Sequence, residues 1–162
     1  MKKNGFTLVE LLAVLAILAV LVLFAVPNIL NVYNTSIDDT MRVQEQEMVD
    51  AANLFIQDSC GRNALNNDRK GICSAAISGN KAYFTTNVVV KYGYTETINH
   101  RGSGVCDGFI EYNYSPDTGR FSDGKTYIYC GDTYFTGQNE SNHKYSLQEI
   151  KNIHSTYSAK EN

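Results

Sequence analysis

The sequence predicts an α+β protein, with one long N-terminal helix, a small antiparallel sheet packed on it and a short C-terminal helix. Three observations predict it. No glycine occurs between Gly5 and Gly61, and Pro27 is the one proline in that interval, so helix can run from Phe6 to about Asp58. After Gly79-Asn80, the stretches Ala82 to Tyr94, Phe109 to Tyr114 and Thr126 to Phe135 are rich in Val, Tyr, Phe, Thr and Ile and are bounded by turn residues. They read as three or four strands, with Asp117-Thr118-Gly119 and Asp123-Gly124 as hairpin turns. Near the end, Ser146-Leu147-Gln148-Glu149 fits a capping box, and Leu147, Ile150, Ile153 or His154, and Tyr157 follow at helical spacing.

The first helix divides by composition. From Phe6 to Val26 the only polar side chains are Thr7 and Glu10, and about 20 apolar residues suffice to cross the hydrocarbon core of a bilayer. The whole helix, at 1.5 Å per residue, would be about 80 Å long, far more than a bilayer needs. Pro27 withholds the donor for the carbonyl of Leu23, so a kink or loosened turn is expected there. Asn28, Asn31, Asn34, Thr35 and Ser36 then mark the exit into water. Beyond them Ile37, Met41, Met48, Ala52 and Phe55 form an apolar stripe that wants a sheet, opposite Asp39, Arg42, Gln46 and Asp50. A coiled-coil seam is the competing reading of that stripe.

Lys2 and Lys3 precede the apolar run, and no Lys or Arg follows it until Arg42. The positive-inside bias therefore keeps the N-terminus in the cytoplasm and the rest outside. The chain of 162 residues carries 14 basic against 17 acidic side chains, a balance that argues against a general nucleic-acid binder. Cys60, Cys73, Cys106 and Cys130 all fall in the exported part, where disulfides form. Three connectivities are possible, and pairing of sequence neighbours, Cys60 with Cys73 and Cys106 with Cys130, is the simplest. Zinc would want close C-x-x-C pairs, which the sequence lacks.

Glu10 is the anomaly, since a carboxylate in a bilayer segment costs on the order of 3 kcal/mol even on lenient scales. The helix dipole returns roughly 0.3 to 1 kcal/mol of that. A full positive charge is required. The ordered set Lys2-Lys3-Asn4-Gly5-Phe6-Thr7-Leu8-Val9-Glu10, the apolar run and Pro27 resembles the N-terminal signal of type IV pilins and of the pseudopilins of type II secretion and competence systems. An ordinary signal peptide fits badly, because the run is long and Leu23-Phe24-Ala25 is a poor cleavage site; a plain signal anchor is the other alternative.

The resemblance implies a pilin-like fold and a set of partners. A prepilin peptidase would cut between Gly5 and Phe6 and methylate the new amino group of Phe6. Glu10 would pair with the Phe6 ammonium of a neighbouring subunit. The chain would then comprise a leader over 1–5, a transmembrane and filament-core helix over 6–27, its amphipathic continuation over 28–58 and a globular domain over 59–162. Its place would be the bacterial cytoplasmic membrane as a single-pass prepilin, then a cell-surface filament of like subunits, raised indirectly by an assembly platform and ATPase. Ala19 departs from the glycine that many pilins of the family carry, which bears on whether helix melts upstream of Pro27 on extension.

Catalytic patterns are weak. His100, His143 and His154 lie far apart, no G-x-S-x-G elbow occurs, and Gly102-Ser103-Gly104 with Gly108 has the wrong spacing for a phosphate loop. No cofactor is implied and an enzyme is not expected. Asp107, Asp117, Asp123 and Asp132 stand in turn-rich segments and are weak calcium candidates, although turn-forming Asp explains them equally. Three Tyr-x-Tyr pairs, Tyr92/Tyr94, Tyr112/Tyr114 and Tyr127/Tyr129, put aromatic rings on strand faces. Packing of the sheet is the plain reading; a ligand-binding or adhesive surface and an aromatic electron path are the alternatives. A membrane-anchored ligand-binding domain that never polymerises is the rival from another class.

Overall fold

In the computed structural model the described residues are 7–61, 69–100, 104–134 and 144–161. In chain order the elements are helix α1 (Leu8–Ser59), helix α2 (Lys70–Ala76), strands β1 (Ile77–Ser78) and β2 (Lys81–Thr85), helix α3 (Thr86–Lys91), strands β3 (Asn99–His100), β4 (Gly104–Ser115), β5 (Arg120–Cys130) and β6 (Thr133–Tyr134), and helix α4 (Leu147–Ser158). The chain forms two compact units, Met1–Thr40 and Met41–Asn162. The helical backbone of α1 continues across Pro27.

The second unit is a sheet in the order β1-β2-β4-β5-β6, with β3 pairing β4, and every pairing is antiparallel. Alternation along β4 gives the sheet two apolar faces. On one, Ala82, Phe84, Ile110, Tyr112 and Ile128 pack with Met41, Met48, Ala52 and Phe55 of α1. Ile37, the first member of the expected stripe, lies outside the described side chains; the remaining four are each at most 4 % exposed. Phe55 is the hub, with its ring 5.7 to 5.9 Å from those of Phe84, Tyr92 and Tyr94. On the other face Phe109, Tyr127 and Ile150 form a second cluster beneath α4.

Two sequence expectations need correction. Ala82 to Tyr94 is not one strand: after Thr85 the chain turns into α3. Thr85 caps it, its hydroxyl accepting from the amide of Val88 at 3.3 Å. Gly93 at φ +77° ends it, with Gly93 N–H on the Val90 carbonyl and Tyr94 N–H on that of Val89, the two bonds of a Schellman motif. Burial of Val88 and Val89 (1 % and 0 % exposed) outweighs the strand preference of three consecutive valines.

Asp123-Gly124 is not a hairpin turn either. The β4–β5 turn is at Pro116 to Gly119, closed by Gly119 N–H on the Ser115 carbonyl at 2.8 Å. Asp123 and Gly124 instead form a bulge opposite Tyr112, between the pairs Glu111↔Lys125 and Asn113↔Ser122. A Cβ on Gly124 would stand 2.7 Å from the Tyr112 ring, so the buried tyrosine requires glycine there. The stretch from Gly61 to Asn80 contains α2 and β1 in its described part.

Candidate functional site

The segment singled out by the sequence begins at Thr7. Thr7 stands at the N-cap of α1 and Glu10 at its third position. The Thr7 amide donates to Glu10 Oε2 at 2.8 Å, the Thr7 hydroxyl donates to the same oxygen at 2.7 Å, and the Glu10 amide donates back to Thr7 Oγ1 at 3.3 Å. This is a capping box, T-x-x-E. The spacing that signals it is in the sequence, Thr7 three residues before Glu10, as Ser146 stands three before Glu149.

Local donors change the energetics of Glu10 without closing the account. A cap of this kind contributes about 0.5–2 kcal/mol, against on the order of 3 kcal/mol for carrying the charge into hydrocarbon. A shortfall remains that a cation would cover. Gly5 and Phe6, the expected processing junction, lie outside the described residues. Leu8–Val26 has a mean hydropathy of 3.0 and none of it is buried, so it is long and apolar enough to cross a membrane. Side chains from Leu8 to Phe24 are at least 46 % exposed wherever they are large and apolar. Such a surface is stable only against lipid or other helices.

The four cysteines pair as Cys60–Cys73, with Cα atoms 5.5 Å apart, and Cys106–Cys130, with Cα atoms 4.2 Å apart. The first ties the end of α1 to α2. The second joins residues directly opposite on β4 and β5. Closing these loops, of 13 and 24 residues, stabilises the fold by about 3 kcal/mol each on a chain-entropy argument.

The calcium candidates are not brought together. Among the described residues no group of three or more His, Cys, Asp or Glu is placed to hold a metal ion. Each aspartate has other surroundings. Asp123 Oδ2 accepts from Asn113 Nδ2 at 2.8 Å, and Asp132 accepts from Lys151 Nζ at 2.8 Å. Asp117 is in the β4–β5 turn, beyond the far end of the strand that carries Asp107.

The tyrosine pairs are also dispersed. Tyr112 is buried beneath α1, its hydroxyl donating to Asn53 Oδ1 at 2.9 Å, and burial pushes its pKa up. Tyr127 and Tyr129 lie on the opposite face with α4. Tyr92 and Tyr94 follow α3 and are not on a strand, and Tyr94 donates to Asp58 Oδ2 at 2.9 Å. The rings pack both faces of the sheet.

Two polar groups escaped sequence reasoning. Glu111, 4 % exposed, accepts from Lys81 Nζ at 2.9 Å, Lys144 Nζ at 2.7 Å and the Tyr145 hydroxyl at 2.5 Å. Burial opposes its charge, yet Lys144, Tyr145 and Lys81 together hold its pKa below the usual carboxylate value. His154 lies between Asn87 and Tyr129. The Asn87 amide nitrogen is 3.2 Å from Nε2 and the Tyr129 hydroxyl oxygen is 3.1 Å from Nδ1, so both ring nitrogens have a polar neighbour.

Comparison with known proteins bears on the N-terminus. Residues 1–26 match the model described as the prokaryotic N-terminal methylation motif. No curated protein and no solved structure matches the chain. The motif marks pilin-type structural proteins, which are not enzymes, and it implies processing by prepilin peptidase and membrane association. With the exposed apolar helix beside it, the motif supports membrane anchoring. Residues 1–26 are thus a type IV prepilin-type signal, and they support a pilin-like or pseudopilin precursor.

Proposed function

We propose that this chain is a structural subunit, a major or minor pilin, of a type IV pilus-like filament. Prepilin peptidase cleaves it between Gly5 and Phe6 and methylates Phe6. The processed chain then leaves the cytoplasmic membrane and polymerises through its N-terminal helix. The observation that carries the reading is Glu10 within an apolar segment whose described side chains are all exposed. Lateral packing against other subunits replaces lipid contact for the apolar side chains. The Phe6 ammonium of a neighbour supplies the charge that the Thr7 cap lacks, and Glu10 sets the register.

Two cystines in a domain of ordinary size favour a pilin or minor pilin over the smaller competence subunits. Mass spectrometry of the mature N-terminus, combined with fractionation of sheared surface fibres, tests the proposal. N-methylated Phe6 in the fibre fraction is the expected result. Chains that keep Met1 and stay in the membrane fraction overturn it and favour a non-polymerising anchored domain.

A further inference from the structure

The unit from Met41 onward has a groove lined by carboxylates beside α1, and two exposed basic side chains, Arg120 and Lys125, on the sheet face opposite. On the side of α1 turned away from the sheet, Val43, Glu47, Asp50 and Leu54 follow at steps of four, three and four and so lie in one row. Val43 is 65 % and Leu54 53 % exposed. Beside this row Tyr94, Thr95 and Glu96 wall off an open groove of about 450 Å³. Its lining includes Glu47, Asp50 and Glu96 with Ala51 and Leu54; among the described residues no Lys or Arg lines it, and Arg69 donates to the hydroxyl of the bordering Tyr94 at 3.2 Å.

The opposite side is the sheet face that carries α4. Strand register sets Lys81 opposite Asn113, Lys125 opposite Glu111 and Arg120 opposite Ser115, all on that face. Lys144 joins them through Glu111. Four carboxylates share that side with the four cations: Asp107 further along β4, Asp117 in the hairpin turn, Glu111 and Asp123. Glu111 is engaged by Lys81 and Lys144, and Asp123 by Asn113 and Ser122. Arg120 and Lys125 are exposed, and no hydrogen bond or ion pair among the described residues engages their side chains.

We infer that the acidic groove beside α1 receives the Arg120 and Lys125 end of the β4–β5 hairpin from a second copy of this chain. The inference rests on the filament reading and assigns a contact to it. Groove against groove would oppose three carboxylates to three, so a two-fold self-contact is disfavoured. Complementary patches on opposite sides of one unit instead join copies head to tail, and such contacts repeat into an open filament unless rotation closes a ring. The alkyl stems of Arg120 and Lys125 cover Ala51 and Leu54 while their charges meet the acids. That places a partner over the exposed leucine.

The test uses the full-length chain expressed with its processing and assembly machinery, with sheared fibres quantified. Glu47→Lys with Asp50→Lys lowers fibre yield at least tenfold, and so does Arg120→Glu with Lys125→Glu. All four substitutions together restore yield to within threefold of the unsubstituted chain. An independent arm, Glu96→Cys with Lys125→Cys, leaves most of the charge in place and forms a disulfide-linked ladder of subunits on mild oxidation. Unchanged yield from either reversal, a combined chain no better than its parents, or monomers only in the cysteine arm overturns the docking. In each variant mass spectrometry of Phe6 reports processing separately. An unsubstituted chain that stays uncut and outside fibres overturns the filament reading, and the docking with it.

Discussion

Glu10 and Glu111 pose the same problem, a carboxylate in apolar surroundings, and the chain meets it in two ways. Glu111 is satisfied within its own unit by two ammonium groups and a phenol. Glu111→Gln should lower stability by about 1.5–3 kcal/mol, the range for hydrogen bonds to charged groups. Urea unfolding of the detergent-solubilised chain measures it, with the midpoint shifting and the slope unchanged. Glu10 has only Thr7 among the described residues, and in the proposed filament a neighbouring subunit supplies the balancing charge.

Two further side chains set the pH response of the C-terminal segment. Glu161, 6 % exposed, accepts from the Thr85 amide at 3.0 Å and from the Thr85 hydroxyl, and burial pushes its pKa up to about 7 against these bonds. Its folded value is raised, so its stabilisation is complete below the unfolded value of 4.5 and is lost as pH rises through about 7. Burial moves His154 the other way, below 6.5, with Asp107 working against the shift. Its stabilisation is present above 6.5 and lost as pH falls through the lowered value. Glu161→Gln should therefore flatten the fall in melting temperature between pH 4.5 and about 7, and leave the acid limb intact. Thermal melts across pH read both limbs.

At the scale of elements, local signals and tertiary packing divide the work. Helix α4 was legible because its cap is local: Ser146 accepts from the Glu149 amide, and Glu149 Oε2 accepts from the Ser146 amide at 2.7 Å. Ser146→Ala should cost about 1 kcal/mol, read as a lower melting temperature with α4 amides exchanging faster. Helix α3 was hidden by its valines, although Thr85 and Gly93 bracket it in the sequence. The bulge at Asp123-Gly124 was unreadable in advance, since D-G is also a turn signal. What separates the two is whether an aromatic ring needs the space, and Tyr112 is distant in sequence.

For the whole molecule, the two units have different sources of stability. The unit from Met41 onward has its own core on both sheet faces and two cystines. The apolar segment Leu8–Val26 has no buried residue and depends on lipid or on other helices. Glu10→Leu should leave membrane insertion intact, since it removes a cost on the order of 3 kcal/mol, while fibre assembly with unsubstituted partners is crippled. Normal incorporation of the Glu10→Leu chain into sheared fibres contradicts that role.

Local periodicity and composition by themselves determined the long helix, the membrane-length apolar run and the capping box of α4, and the residues from Lys2 to Pro27 carried the resemblance to a prepilin-type signal. Each depends on residues within a few turns of one another, so the spacing of side chains is enough. Tertiary structure decided what depends on residues far apart in the chain. It turned a valine-rich strand into α3, and it gathered Lys81, Lys144 and Tyr145 on Glu111. It spread the tyrosines over two faces and kept the aspartates apart, and it set an acidic groove and the exposed Arg120 and Lys125 side chains on opposite sides of one sheet. Burial and charge at those places are properties of the packed chain, and no window of sequence contains them.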